Sequence, residues 1–329
     1  MKIIDLFSGI GGFSLGFKRA GYHFTEHYFS EIDKHAIANY KYNFPNAKYI
    51  GDITSIHRRD FADIDIITFG SPCQDFSLAG KRKGLKGGKS SLIEYAITLV
   101  ARLRPSVFIW ENVKGAFSSN SGADFWAIIQ AFANIGDYRL EWQLLNTSWV
   151  LPQNRERIYL IGHLAGRSES GVFPIEENDF SFTKEKKYQF HPELCGTLKA
   201  NGNMNTDDTY IIPRKAKALT GGGHSGGLHS DMTIIKQLAR GKNKGADLTI
   251  CPTISSNAFQ ENNLLDGIRR LTEIECERLQ GFSDNWTQYG DYNGTIKPIA
   301  KTQRYKLIGN AVTVDIVELI AKRLKLIQQ

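Results

Sequence analysis

Apolar positions in the first half of the chain fall into short runs that alternate with stretches of helical period. Lys2–Phe7 is apolar and β-branched and reads as a strand. A glycine-rich turn follows, then an amphipathic stretch over Phe13–Arg19, with Gly21 in the position that ends a helix. His27–Ser30, Ile64–Phe69 and Ser106–Trp110 read as further strands, and Asp33–Tyr42, Leu92–Leu103 and Ala123–Ile135 as helices. Tyr138–Leu145 and Arg157–Leu164 are strand-like again. Strands alternating with helices of this length predict an α/β fold with a doubly wound, mostly parallel, Rossmann-like sheet.

The pattern breaks after about Leu164. From there to about Asp266 the chain is rich in Gly, Asn, Thr and Ser, with only short apolar pieces. It reads as a second, smaller strand-and-loop domain. Helical period returns at Thr272–Leu279 and at Ala311–Ile327, the last helix being expected to pack back on the first domain. The division is therefore 1–164, 165–266 and a return segment, 267–329.

Composition adds limits. The chain of 329 residues is 41% hydrophobic and 23% charged, ordinary for a water-soluble globular protein. No apolar run approaches the roughly 18 residues of a membrane span. Asp5 interrupts the apolar start, which is not a signal peptide. The four cysteines are far apart and form no C-x-x-C pair, so neither a disulfide framework nor a zinc site is expected, and the compartment is a reducing cytoplasm. The net charge of +7 suits a polyanionic partner. Five of the nine residues Lys81–Lys89 are basic and none is acidic; their glycines place them on a loop.

Several segments carry candidate chemistry. In F-G-S-P-C-Q-D-F-S, Phe69–Ser77, Pro72 halts a buried strand and leaves Cys73 on a loop at the carboxyl edge of the sheet, where open α/β sheets bind ligands. A thiol with pKa near ~8.5 needs help to act as a nucleophile, and the basic run downstream supplies positive potential. In W-E-N-V, Glu111 follows another apolar strand and shares that edge. In D-L-F-S-G-I-G-G, Asp5–Gly12, glycines let the backbone approach a ligand, and Glu31 lies at the distance of a ribose-binding carboxylate. The dinucleotide fingerprint fails at Ser14, and the segment alone also fits a tight turn with no ligand. Gln153, Arg155 and Arg157 alternate and, as strand residues, would share one face. Thr272 and Glu275 are spaced as a capping box, and Gly309-Asn310 is expected to start the terminal helix.

Taken in order, D-L-F-S-G-I-G-G, S-P-C-Q, E-N-V, Q-N-R-E-R, R-x-L-T-x-x-E-x-x-R-L-Q-G-F and G-N-A-V resemble the C5-cytosine-specific DNA methyltransferases, bacterial or phage enzymes of the restriction-modification type. The likeness covers nearly the whole chain outside about Ala165–Thr249, where that family carries its variable target-recognition domain. A nicotinamide-dependent oxidoreductase would share the sheet but leave the later motifs without a role. A DNA-binding protein without catalysis has no use for Cys73, Glu111 and Arg157 together. The branch of the family that acts on transfer RNA carries a Cys-Phe-Thr tripeptide, which is absent here.

The resemblance implies S-adenosylmethionine as cofactor and no metal. It matches Phe7, Ser8, Gly9, Ile10 and Gly12 to the cofactor turn, Glu31 to the ribose carboxylate, and Asp52 and Ile53 to the pair that reads the adenine. It adds Ile32, Gly70, Pro72, Leu92, Asn310 and Val312 to the cofactor pocket. Cys73 becomes the nucleophile, Glu111 the group at cytosine N3, Arg157 the ligand of O2, with Arg155 and Gln153 bracing them. Ser77, Lys81, Arg82, Lys83 and Lys89 fall in the family's mobile DNA-closing loop, and Arg240, Lys242 and Lys244 in candidate groove-reading loops. The implied partner is double-stranded DNA, bound by a monomer, with a cognate restriction endonuclease acting separately.

Overall fold

The structure is a computed structural model. It describes residues 1–56, 61–71, 92–117, 122–180 and 271–327, with four short strands between 235 and 270. The central sheet is built from β1 (Lys2–Leu6), β2 (Glu26–Ser30), β3 (Lys48–Tyr49), β4 (Ile66–Gly70), β5 (Val107–Val113), β6 (Tyr138–Asn146) and β7 (Glu156–Leu164). Its order is β3-β2-β1-β4-β5-β7-β6. Neighbours are parallel from β3 to β5, and β7 runs antiparallel to both β5 and β6. The expected mostly parallel sheet is therefore present, with one reversed strand.

Helices α1 (Gly12–Arg19), α2 (Lys34–Asn43), α4 (Leu92–Leu103) and α5 (Ala123–Ala133) lie where the apolar periods predict, and a short helix α3 (Ile53–Ile56), too brief to show a period, adds to them. Asp33 caps α2, its carboxylate accepting from the N–H groups of His35 and Ala36. Strand alternation sorts the two faces of the sheet. Ile4, Leu6, Phe108, Trp110, Ile158 and Leu160 join the core beneath α3, α4 and α5. Ile3, Val107, Ile109, Tyr159 and Ile161 join the opposite core with Phe13 and Phe17 of α1.

The remaining elements are β8 (Ser168–Glu169), β9 (Ile235–Gln237), β10 (Ala246–Leu248), β11 (Asn263–Leu265), β12 (Arg269–Arg270), α6 (Glu273–Leu279), β13 (Tyr289–Tyr292), β14 (Thr295–Pro298), α7 (Lys301–Asn310), α8 (Val314–Arg323) and β15 (Lys325–Leu326). Strands β9–β12 form a small sheet of order β10-β9-β11-β12. Helix α8 buries Ile316, Val317, Ile320 and Ala321 against the α1 face of the main sheet.

The single helix expected over Ala311–Ile327 is corrected. Gly309-Asn310 ends α7 instead of starting the last helix, and α8 begins only at Val314. Side-chain partners explain the break. Arg155 takes the carbonyls of Gly309 and Ala311. Thr313 bonds to Thr147 and Gln280, and the Val314 N–H donates to the Gln280 carbonyl.

Candidate active site

Strand β5 runs through Val113, three residues past its expected end. Glu111 therefore lies inside a strand, not after one. Pairing with β7 sustains it: Glu111 faces Tyr159 and Val113 faces Arg157 in register. Glu111 and Arg157 are diagonal neighbours on one face, and Arg157 Nε stands 3.1 Å from Glu111 Oε1. Both side chains are largely buried, so the pair is shielded from water. On the neighbouring strand Gly70 pairs with Glu111. A methyl group there would stand 3.1 Å from Glu111 Oε2, so glycine leaves room for the carboxylate.

The alternate residues of β5 point the other way and hold the end of β4. Trp110 Nε1 donates to Ser71 Oγ at 3.0 Å, and Asn112 Nδ2 donates to the Ser71 carbonyl at 3.1 Å. Asn112 is 1% exposed. Trp110, Asn112 and Ser71 were not among the residues expected to shape the site. Their signal was available in the alternation of W-E-N-V, which sends Glu111 to one face and its two neighbours to the other.

Gln153 and Arg155 are corrected as strand residues. Strand β7 starts at Glu156, so of the three only Arg157 projects from it. Gln153 Nε2 donates to the Leu279 carbonyl at 2.7 Å, and Arg155 Nη2 to the Ala311 carbonyl at 2.7 Å. Both are buried and tie the entrance of β7 to the ends of α6 and α7. Burial, with Arg157 nearby, lowers the Arg155 pKa to about 9.

The turn after β1 is a second candidate site. Phe7, Gly9 and Gly11 have φ values of 50°, 52° and 83°, which turn the chain sharply. The Gly9 N–H donates to Glu31 Oε2 at 2.9 Å, while Glu31 Oε1 accepts from the N–H groups of Ile32 and Asp33. Ile32 is 73% exposed beside that carboxylate. Asp52 Oδ1 accepts from the Thr54 N–H, and Ile53 is buried in the core. Val312 packs on the turn so closely that a methyl on Gly12 would lie 2.6 Å from its Cγ2. Leu92 is half-buried at the start of α4, and Asn310 is exposed at the end of α7.

Behind the turn lies a buried polar cluster. Asp5 accepts from Thr68, Ser14 and Tyr40, and the two hydroxyls of Ser14 and Tyr40 stand 2.9 and 2.7 Å from His27 Nε2. Burial raises Asp5 to about 7, and burial with the Lys18 charge lowers His27 to about 3.

A sequence profile of C-5 cytosine-specific DNA methylases matches residues 1–326. The chain belongs to this family. The methyltransferase is 30% identical over 339 residues to the Type II methyltransferase M.Bsp6I of Bacillus sp. (strain RFL6), with 98% of each chain covered. It is 31% identical over 336 residues to the Type II methyltransferase M.NgoBI of Neisseria gonorrhoeae, covering 98% of this chain and 92% of that one. Its fold matches that of the S. pombe Dnmt2 methyltransferase with a TM-score of 0.60 at 18% identity, over 97% and 96% of the two chains. The methyltransferase is thus an enzyme that acts on cytosine C5 of DNA.

Membership implies S-adenosylmethionine, and the turn after β1 fits it. Ser8 Oγ is buried and has no hydrogen-bond partner among the described residues. A carboxylate offers about four lone-pair positions; Glu31 uses three on backbone N–H groups and keeps capacity for a hydroxyl. The space over Gly9 is open, with no described atom within 4 Å of where a Cβ would stand. Among the described residues no cluster of His, Cys, Asp or Glu could hold a metal ion, and no helix is long and apolar enough to cross a membrane. Pro72, Cys73, Ser77, Lys81, Arg82, Lys83, Lys89, Arg240, Lys242 and Lys244 lie outside the described residues.

Proposed function

We propose that the methyltransferase modifies a flipped-out cytosine in a specific duplex sequence through a covalent bond between Cys73 sulfur and C6. The observation that carries this reading is the shielded Arg157–Glu111 pair, on the strand whose Trp110 and Asn112 hold Ser71 two residues ahead of Cys73. Cytosine C5 is a weak nucleophile. Attack of the Cys73 thiolate at C6 gives the ring enamine character, with electron density at C5. Glu111 assists by hydrogen bonding or proton donation at N3, and Arg157 both holds Glu111 and binds the base at O2. Gln153 and Arg155 fix the entrance of β7 so that Arg157 stays in register.

S-adenosylmethionine supplies a methyl group on a sulfonium, the electrophile for C5. Ser8, Gly9 and Glu31 would hold it, with Ile32 and Val312 as apolar walls and Asp52 facing its adenine. After methylation a base removes the C5 proton and the thiolate leaves C6. Because the reacting atoms lie inside the duplex, the nucleotide must leave the base stack. Residues 1–164 would form the catalytic and cofactor domain, 165–266 the recognition domain and 267–329 the return segment. Ser77, Lys81, Arg82, Lys83 and Lys89 would contact the strand, and Arg240, Lys242 and Lys244 the groove. The names of its relatives support a restriction-modification setting with a separate nuclease.

The test is transfer of labelled methyl from S-adenosylmethionine to duplex DNA. Wild type should label DNA and not transfer RNA, and Cys73→Ala should lose all transfer while still binding DNA. Bisulfite sequencing of a methylation-free host expressing the enzyme should show protected cytosines in one sequence context. Soluble wild-type protein that leaves the genome wholly unprotected would overturn the reading.

A further inference from the structure

The segment between α6 and β13 carries a tryptophan with no part in the chemistry above. Trp286 Nε1 donates to the Ile10 carbonyl at 3.0 Å, inside the glycine turn. Its own carbonyl accepts from Asn39 Nδ2 at 2.9 Å and Asn43 Nδ2 at 3.1 Å, both on α2. The turn presents Gly9 and α2 begins three residues after Glu31, so one residue bridges the two segments that carry the cradle. The indole ring is wedged between Phe44 and Phe282. Thr287 anchors the next position through Glu277, which is fully buried and paired with Arg304.

We propose that Trp286 is a positioning residue for the cofactor, locking the Ile10 peptide so that Gly9 and Glu31 keep their binding geometry. The inference rests on the reading that this cradle holds S-adenosylmethionine. Packing alone would be served by any large aromatic ring. The indole N–H is different: it is a directed donor to a carbonyl flanked by two glycines with positive φ, the most pliable part of the turn. Without that bond, the Ile10–Gly11 peptide is held only by the Gly11 N–H on the Ser8 carbonyl, and the glycines on either side let it turn from its bound orientation.

The experiment compares wild type with Trp286→Phe, which keeps a ring and removes the donor. Binding of S-adenosylhomocysteine is measured by calorimetry, and amide exchange over residues 7–12 by mass spectrometry in the cofactor-free protein. The variant should bind about fivefold more weakly, the worth of one hydrogen bond. Its amides there should exchange faster, and kcat at saturating cofactor should stay within about twofold of wild type. Unchanged affinity overturns the proposal. Wild type that binds no S-adenosylhomocysteine overturns the cofactor reading itself, and this inference with it. Should Trp286→Phe fail to fold, Asn43→Ala removes one support of the Trp286 carbonyl. It should weaken binding by about twofold; an unchanged constant again overturns the proposal.

Discussion

Arg157 Nε meets Glu111 Oε1 at 3.1 Å across the β5–β7 pair, and each side chain is mostly withdrawn from solvent. The contact neutralises a buried carboxylate and aims it in one direction. Glu111→Gln keeps the shape and removes the charge and the proton-donating capacity. It should lower kcat about 10²- to 10³-fold, within the usual range for general acid–base groups. Glu111→Ala would also leave the guanidinium unpaired, at a cost of about 3–5 kcal/mol in stability. Single-turnover methylation and urea unfolding measure the two effects; a Gln variant with wild-type kcat would remove Glu111 from the chemistry.

Gly70 tests the same carboxylate from the other side. Its backbone φ is ordinary, so Gly70→Ala is not a matter of strain. The added methyl would press on Glu111 Oε2 at 3.1 Å and turn the carboxylate from Arg157. The expected result is a fall of roughly tenfold in kcat, because a small misplacement of a reacting group is costly. S-adenosylhomocysteine affinity should stay as in wild type. An equal loss in affinity would mean that Gly70 serves the cofactor directly.

The first and last motifs of the chain meet at Gly12 and Val312. A Cβ on residue 12 would overlap Val312 Cγ2 at 2.6 Å and crowd its carbonyl at 3.1 Å. Gly12→Ala should therefore destabilise the protein by about 1–3 kcal/mol through overpacking. Val312→Ala makes room, so the double variant should be more stable than additivity predicts, by about 1 kcal/mol. Additive losses in a double-mutant cycle would show that the two positions do not share the contact.

What the sequence made legible was local. Thr272 and Glu275 form the expected capping box because both partners lie within one turn. Apart from the short β3 and α3, the strands and helices of the first half followed from period, which depends only on which face is buried. The errors all came from partners distant in the chain. Glu111 looked like the residue beyond a strand because a carboxylate breaks an apolar run; Arg157 and the β7 ladder, invisible locally, keep it inside. Gln153 and Arg155 do alternate with Arg157, yet their acceptors are carbonyls at 279, 309 and 311, which pull them off the strand. Those same bonds divide α7 from α8. Trp286 meets Ile10 across nearly the whole chain, and no spacing rule could find that pair.

The Asp5 and His27 cluster makes a prediction about pH. Burial raises Asp5 from 3.8 to about 7, against the hydrogen bonds of Thr68, Tyr40 and Ser14 and with the Glu31 charge. A raised carboxyl contributes stability that is full below 3.8 and is lost as the pH climbs to about 7. His27 goes the other way, from 6.5 to about 3. Its contribution is present above 6.5 and is lost as the pH falls towards 3. Between 3.8 and 6.5 the slopes oppose, so their joint effect in wild type is nearly flat. Asp5→Asn removes only the falling slope. Its stability relative to wild type should then rise with pH across that window by about 1 kcal/mol per unit. His27→Gln should show the reverse trend. Urea midpoints at several pH values between those limits decide it. Parallel curves for Asp5→Asn and wild type would mean that Asp5 is ionised throughout the window despite its burial.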